Sequence, residues 1–334
     1  MNVLSLFDGM SCGRIALDRA GIEVNNYYAS EIDKHAIKVA QANWPNNIQL
    51  GDVTNWREWD IDWSSIDLVT GGFPCQAWSM AGKQLGDKDE RGMLFWTMLD
   101  VMKKVREHNH GANFLIENVK MKKEFEEYIT HHTEQALGEV HKILINSALV
   151  SAQNRNRYYW TSFKCEQPED KGIVLSDIIH CDEVDRDKSH CLDANYFKGG
   201  NLKSYFEKNR RQLVFINQKP RGNNSGGIRA EDGKTPTLSA NSWEHNNHLA
   251  IREKSKCVRS GGAGSPPESC HNWDNALDSK VHYRKLTPIE CERLQTVPDN
   301  YTNHVSNTQR YKMLGNGWTV DVVVHLLGCL LWNQ

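Results

Sequence analysis

No uninterrupted apolar run in the 334 residues approaches the roughly 18 that a membrane helix needs, which argues against an integral membrane class. The N-terminus MNVLSLFDGM lacks both a basic n-region and a small-residue cleavage site, so no export signal is expected. Nine cysteines (12, 75, 165, 181, 191, 257, 270, 291 and 329) show no framework spacing, and their number is odd. Without an export signal, reduced thiols in a cytoplasm are the natural expectation. Internal repeats are absent. There is no excess of charge of one sign either, since the net is only −2.

That small net charge hides an asymmetry. Between Asn195 and Lys285 there are nine Lys and seven Arg against eight acidic residues, so the rest of the chain carries a deficit of ten. One segment is thus suited to a polyanion while the remainder is an acidic enzyme body. The length accommodates two domains at roughly 100–200 residues each. Residues 1–165 with 284–334 form the first expected domain, and 166–283 the second.

In the first part short apolar runs alternate with amphipathic stretches. VLSLF (3–7), NNYYAS (25–30), IDLVTGG (66–72), NFLIENV (113–119), HKILINSALV (141–150) and RYYWTSF (157–163) read as strands. Helices are expected over 13–20, over 33–43 with Pro45 as the stop, and over 93–106. This alternation predicts an α/β fold with a mostly parallel sheet. The region from about Cys165 to Tyr283 is rich in Gly, Asn, Ser and Lys, which predicts loops and short strands. Helical patterning returns at RKLTPIECERLQTV (284–297), with Thr287 as cap before Pro288, and ends in the apolar WTVDVVVHLLGCLLW (318–332).

The turn FDGMSCG (7–13) follows the first strand and opens a helix, a place where backbone approaches a ligand closely. Glu31 ends the second strand and Asp52 follows the third. Acids at such positions accept hydrogen bonds from ribose hydroxyls and an adenine amino group, which suggests an adenosine-containing cofactor. An isolated cysteine is normally a small buried hydrophobe. Cys75, however, lies on the turn GGFPCQAWS (71–79) at the carboxyl edge of the sheet, and a polar, glycine-rich stretch (81–92) suited to a lid follows it. Glu117 in the stretch ENV reaches the same edge, where partial desolvation would let it keep and donate a proton. In QNRNR (153–157), Gln153, Arg155 and Arg157 alternate, so an extended strand would place all three on one exposed face.

In this order, FDGMSCG, SEID, GDV, GGFPCQ, ENV, QNRNR, RKLTPIECERLQTVP and LGNGW resemble the DNA (cytosine-5-)-methyltransferase family. The likeness covers nearly the whole chain except the basic stretch, which falls where the family carries its variable target-recognition region. Ser11 and Cys12 replace the usual glycine run of the first motif, and Gly317-Trp318 replaces the usual Ser of the last. Both departures are similar to the animal de novo methyltransferases, whereas the segment after Cys75 resembles bacterial or phage enzymes.

The resemblance implies a Rossmann-like, S-adenosylmethionine-dependent sheet with a smaller, mostly irregular or β target-recognition domain. It implies that Cys75 thiolate adds to C6 of a flipped cytosine. Glu117 would bind N3 and the exocyclic amine, and one or both of Arg155 and Arg157 the O2 side. The methyl donor would rest on Phe7, Asp8, Gly9, Met10, Ser11, Cys12, Glu31, Ile32, Asp52 and Val53, with Pro74, Leu94, Asn316, Gly317 and Trp318 closing the pocket. Double-stranded DNA would be contacted by Gln76, Ser79, Lys83, Gln153, Thr237 and Leu238. The setting implied is a bacterial or phage-infected cell, with a separately encoded restriction endonuclease as a candidate partner. tRNA cytosine-5 methylation and a non-catalytic DNA-binding relative are the alternatives. The second is disfavoured because the nucleophile, the glutamate and the arginines are all present. No metal site is expected, because His180-Cys181, His190-Cys191 and Cys270-His271 fit no finger spacing.

Overall fold

Side chains of a strand alternate between its two faces, and here the alternation sorts residues into two separate apolar clusters. Val3, Leu115 and Tyr159 belong to one cluster; Leu4, Leu6, Phe114, Ile116 and Trp160 belong to the other. A sheet with apolar side chains on both faces must be covered on both. The computed structural model describes residues 1–74, 90–179, 184–200, 202–218, 247–248 and 282–332.

The main sheet contains β1 (Asn2–Leu6), β2 (Asn26–Ser30), β3 (Ile48–Gln49), β4 (Leu68–Gly71), β5 (Asn113–Val119), β6 (His141–Asn146) and β7 (Asn156–Thr161). Their spatial order is β3-β2-β1-β4-β5-β7-β6. The first five strands run parallel, while β7 is antiparallel to both β5 and β6. The chain winds outward in one direction from β1 to β3 and in the other from β4. The crevice between β1 and β4 is therefore the switch point, where open α/β sheets bind ligands.

Helices α1 (Cys12–Arg19), α2 (Lys34–Asn43), α3 (Glu90–His108) and α4 (Lys123–Leu137) cover the sheet. Helix α2 stops before Pro45, as expected: Trp44 has left helical geometry, with φ −131° and ψ 73°. Short helices α5 (Leu175–Ile178) and α6 (Leu202–Lys208) follow the sheet, and then β8 (Leu213–Gln218), β9 (Asn247–His248) and β10 (His282–Lys285) make a second, three-stranded sheet. Leu175, Ile178, Leu192, Tyr196, Tyr205 and Leu213 all join the same core cluster as the first helices.

The chain then forms α7 (Pro288–Leu294), α8 (Asn307–Asn316) and α9 (Val320–Trp332). Helix α7 begins with the expected cap: Thr287 Oγ1 accepts from Glu290 N–H at 3.2 Å, and the Glu290 carboxylate accepts from Thr287 N–H at 2.7 Å. Asn307–Leu331 is apolar enough on average to span a bilayer, but its backbone breaks at Gly317. Val320, Val322, Val323, Leu326, Leu327 and Leu330 are instead spent on the core, where α9 packs on α1.

One expectation fails at the cysteines. Cys165 and Cys329 are 164 residues apart, yet they are joined as a disulfide with Cα atoms 5.5 Å apart. Spacing offered no reason to pair them. They meet because α9 returns beneath the segment leaving β7.

Candidate active site

Sheet register lines up the carboxyl edge. Leu6 pairs with Ser30 on one side and Gly71 on the other, and Gly71 pairs with Ile116. The next residues, Phe7, Glu31, Gly72 and Glu117, are consequently level with one another. Antiparallel pairing of Val119 with Arg157 brings the start of β7 to the same edge. Above this row lies a cavity of about 360 Å³, within the size range of small-molecule sites.

Fourteen of the fifteen residues expected to hold a methyl donor line this cavity: Phe7 to Met10, Cys12, Glu31, Ile32, Asp52, Val53, Pro74, Leu94 and Asn316 to Trp318. Ser11 does not line it. Its side chain is fully buried, its backbone is left-handed (φ 64°), and its hydroxyl donates to Asp8. Gly9 also has a positive φ of 60°, a conformation that glycine adopts without the strain a side chain brings.

The Glu31 carboxylate is fixed by backbone N–H groups: Gly9 donates at 2.7 Å, and Ile32 and Asp33 each at 2.8 Å. Asp52 caps the following turn by accepting from Thr54 N–H at 2.9 Å. Ile32 is 73% exposed on the cavity rim, an apolar surface left uncovered among the described residues. On the same rim Lys312 pairs with Asp33 at 2.8 Å. Lys312 belongs to α8 and was not anticipated from the sequence.

Two buried groups shape the cavity floor. Burial pushes the Asp8 carboxyl up to about 6, although hydroxyl bonds from Ser11 and Tyr27 oppose the shift. Burial also pushes the Cys12 thiol up to about 12. A thiol so shifted stays protonated near neutral pH, so this cavity cysteine is unsuited to nucleophilic attack.

Glu117 is 9% exposed, and its Oε1 lies 3.0 Å from Arg157 Nε. The expected partial desolvation is present, but a guanidinium also faces the carboxylate. Gly72 lies under the carboxylate. A Cβ at that position would sit 3.2 Å from Glu117 Oε2 and 3.1 Å from Trp318 Nε1, so the closeness of these groups depends on a glycine. Asn118 is buried and donates to the carbonyl of Phe73 at 3.0 Å. It thereby pins the turn that leads to Pro74 and onward to position 75. Asn118 of the motif ENV is thus a functional residue not anticipated from the sequence. Its signal was there, since a polar side chain in an apolar strand needs a partner.

The reading of QNRNR as an exposed face is corrected. Only Asn156 and Arg157 belong to β7, and Gln153 is fully buried. Gln153 Nε2 donates to Leu294 O at 3.2 Å, and its Oε1 accepts from Leu192 N–H at 2.9 Å. A side chain committed in this way cannot read DNA. Arg155 is 3% exposed and donates to the carbonyls of Leu192 at 3.1 Å, Gly315 at 3.3 Å and Gly317 at 2.8 Å. Although it lines the cavity, its guanidinium is occupied in holding the loop that carries Trp318. Gln295 completes this brace, donating to Leu314 O at 2.6 Å. Beside the arginines, burial raises the Cys191 thiol, but Arg155 and Arg157 more than reverse this and hold it below its usual value. The expected residues Cys75, Gln76, Ser79, Lys83, Thr237 and Leu238 lie outside the described residues.

Comparison with known proteins matches this architecture. The family model described as C-5 cytosine-specific DNA methylase matches residues 1–331. The type II methyltransferase M1.ScrFI of Lactococcus lactis subsp. cremoris is 29% identical over 340 residues, covering 96% of this chain and 75% of that protein. The type II methyltransferase M.HpaII of Haemophilus parainfluenzae is 28% identical over 341 residues, covering 96% and 86%. Among solved structures, a Spodoptera frugiperda DNMT2 variant superposes with a TM-score of 0.60 at 19% identity, covering 99% of both chains, and shares the fold. The chain therefore belongs to the C-5 cytosine-specific DNA methylase family, whose members transfer a methyl group from S-adenosylmethionine to carbon 5 of cytosine in DNA.

Proposed function

We propose that the chain methylates a cytosine flipped out of double-stranded DNA, with Cys75 as the nucleophile and Glu117 and Arg157 as the partners of the base. The observation that carries this is the Glu117–Arg157 pair, 3.0 Å apart and level with the turn leading into Cys75. Carbon 5 of cytosine is too electron-poor to attack a methyl donor directly. Addition of the Cys75 thiolate at C6 pushes electron density onto the ring, where Glu117 at N3 and the amine, and Arg157 at O2, stabilise it. After methylation, loss of the C5 proton and departure of Cys75 restore the aromatic ring. Because none of these groups reaches into a stacked duplex, the base must leave the helix.

The residues present suit S-adenosylmethionine, which when bound supplies an electrophilic methyl group. The uncovered Ile32, with Val53 and Leu94, offers an apolar surface for an adenine ring. The Glu31 carboxylate, oriented by three N–H groups, is ready to accept ribose hydroxyls. Arg155 takes a positioning role in this reading, since it holds the loop bearing Trp318.

Residues 166–283 are proposed to supply target recognition, with Thr237, Leu238 and the basic residues against the groove, and Gln76, Ser79 and Lys83 joining them from the segment after Cys75. A separately encoded restriction endonuclease would be the functional partner, in the cytoplasm of a bacterial or phage-infected cell. The test is tritium transfer from labelled S-adenosylmethionine to duplex DNA and, in parallel, to tRNA. Transfer to DNA that is lost in Cys75→Ser is expected. Equal activity in the variant, or transfer to tRNA alone, refutes the proposal.

A further inference from the structure

Cys165, His325 and Cys329 form a cluster that does not line the cavity, and the methylation chemistry uses none of them. His325 and Cys329 are four residues apart on α9 and so share one face of that helix. Cys165 approaches this face from the segment after β7. His325 Nε2 lies 3.4 Å from Cys165 Sγ and 3.9 Å from Cys329 Sγ, and the three ligand atoms are all within 4.8 Å of one another. All three residues are partly exposed, so an ion has a route in.

We propose that when the Cys165–Cys329 pair is reduced, Cys165, His325 and Cys329 bind one zinc ion. Zinc takes thiolate at about 2.3 Å and imidazole nitrogen at about 2.0–2.1 Å in a tetrahedron, which requires S···N separations near 3.6 Å and S···S near 3.8 Å. Both S···N separations are already close to that value. The sulfurs alone must separate, and reduction frees them to do so. Two electrons from a thiol or phosphine reductant break the S–S bond, and two protons taken up from solvent complete the two thiols. Zinc then takes two thiolates and releases two protons to solvent, so the ion and its ligands are neutral together.

The surroundings agree with this set of ligands. Asp321, one turn before His325, is already paired with Arg19 at 2.7 Å and Lys171 at 2.9 Å and does not compete for the ion. His325 Nε2 now faces Glu166 O at 2.8 Å; on binding, its proton moves to Nδ1, which frees the Nε2 lone pair for the ion. The disulfide and the zinc site exclude each other, but either one ties α9 to the end of the sheet. Disulfides are disfavoured in reducing compartments, where the metal form would hold instead.

The test uses the full chain, reduced with a phosphine and freed of it under anaerobic conditions. Titration with cobalt(II) should reach one equivalent, with a thiolate-to-cobalt charge-transfer band and tetrahedral d–d bands, and zinc should displace the cobalt. Cys165→Ser and His325→Ala should weaken zinc binding by at least the ~10–100-fold that even outer-shell partners command. Cys291→Ser, which alters a buried cysteine outside the cluster, should leave it unchanged. Zinc affinity equal in Cys165→Ser and wild type, or a cobalt spectrum without the thiolate band, overturns the site. Should the variants not fold, the wild type decides the matter: the oxidised chain must fail to bind, and equal binding by oxidised and reduced protein also overturns the proposal.

Discussion

Gly315→Ala and Gly328→Ala make the same chemical change in two neighbouring helices, and they should shift stability in opposite directions. In an exposed helix Ala is favoured over Gly by about 0.5–1 kcal/mol, because glycine loses more backbone entropy on folding. At Gly328 a Cβ meets nothing within 4 Å, so this gain should be realised. At Gly315 the added atom would fall well under 3.0 Å from the backbone of Asp193 and Ala194. Backbone atoms cannot rotate away as a side chain can, so the 315–317 loop must move. Overpacking of this kind costs about 1–3 kcal/mol. Movement of the loop also pulls the Gly315 and Gly317 carbonyls away from Arg155, and each orphaned buried acceptor adds about 1–3 kcal/mol. The expected loss is on the order of 3–9 kcal/mol. Urea denaturation followed by fluorescence, with the midpoints of the two variants set against wild type, measures both effects. A Gly315→Ala midpoint equal to or above wild type refutes the packing argument, whatever Gly328→Ala does.

Asn118→Ala removes the donor to Phe73 O, and a displacement of the following turn by about 1 Å should cost roughly 100-fold in single-turnover methylation. Binding of S-adenosylmethionine, measured by calorimetry, should change little; a normal turnover rate contradicts this role. Arg155→Ala and Arg157→Ala should separate stability from activity. The first leaves the carbonyls of Leu192, Gly315 and Gly317 without their donor, at about 1–3 kcal/mol each, while the second leaves the Glu117 carboxylate without its cation but open to water entering the cavity, and should fold and lose turnover. If Arg157→Ala is the less stable of the two, the assignment is reversed. Asp8 makes stability depend on pH. Its folded value, near 6, exceeds its ordinary 3.8, so the cost of ionising it in the core grows as pH rises from about 4 to about 6 and is constant above that. Asp8→Asn should therefore gain on wild type across that window, by an amount on the order of 3 kcal/mol. A stability difference that stays flat between pH 4 and 7 contradicts the shift.

Much of the fold was legible because its signals are local. Strand β5 occupies 113–119 as read, and β1, β2 and β4 begin and end within two residues of the expected spans. Glycine turns at strand ends and a threonine–proline helix start are short-range features with a single physical meaning. Strand order was not legible in the same way. The antiparallel β7, inserted between β5 and β6, depends on which surfaces meet after folding, and alternating hydrophobicity does not encode that.

The largest misreading concerned polar residues, and its cause is physical. Three polar side chains in alternation look solvent-exposed when the only acceptor considered is water. In the folded chain the acceptors for Gln153 and Arg155 include main-chain carbonyls of Leu294, Gly315 and Gly317, more than 140 residues further on. Every residue carries a carbonyl, so the sequence around Gly315 cannot announce that its carbonyl is waiting for a guanidinium. What it does announce is the glycine itself, which allows the backbone to come so close. Arg155, Gln295 and the glycines on either side of Asn316 therefore work as one device: the glycines permit the approach, and the buried donors make it stable. The same logic separates the two arginines. Arg155 commits its donors to the wall of the cavity, and that braced wall leaves the Arg157–Glu117 pair facing the cavity itself.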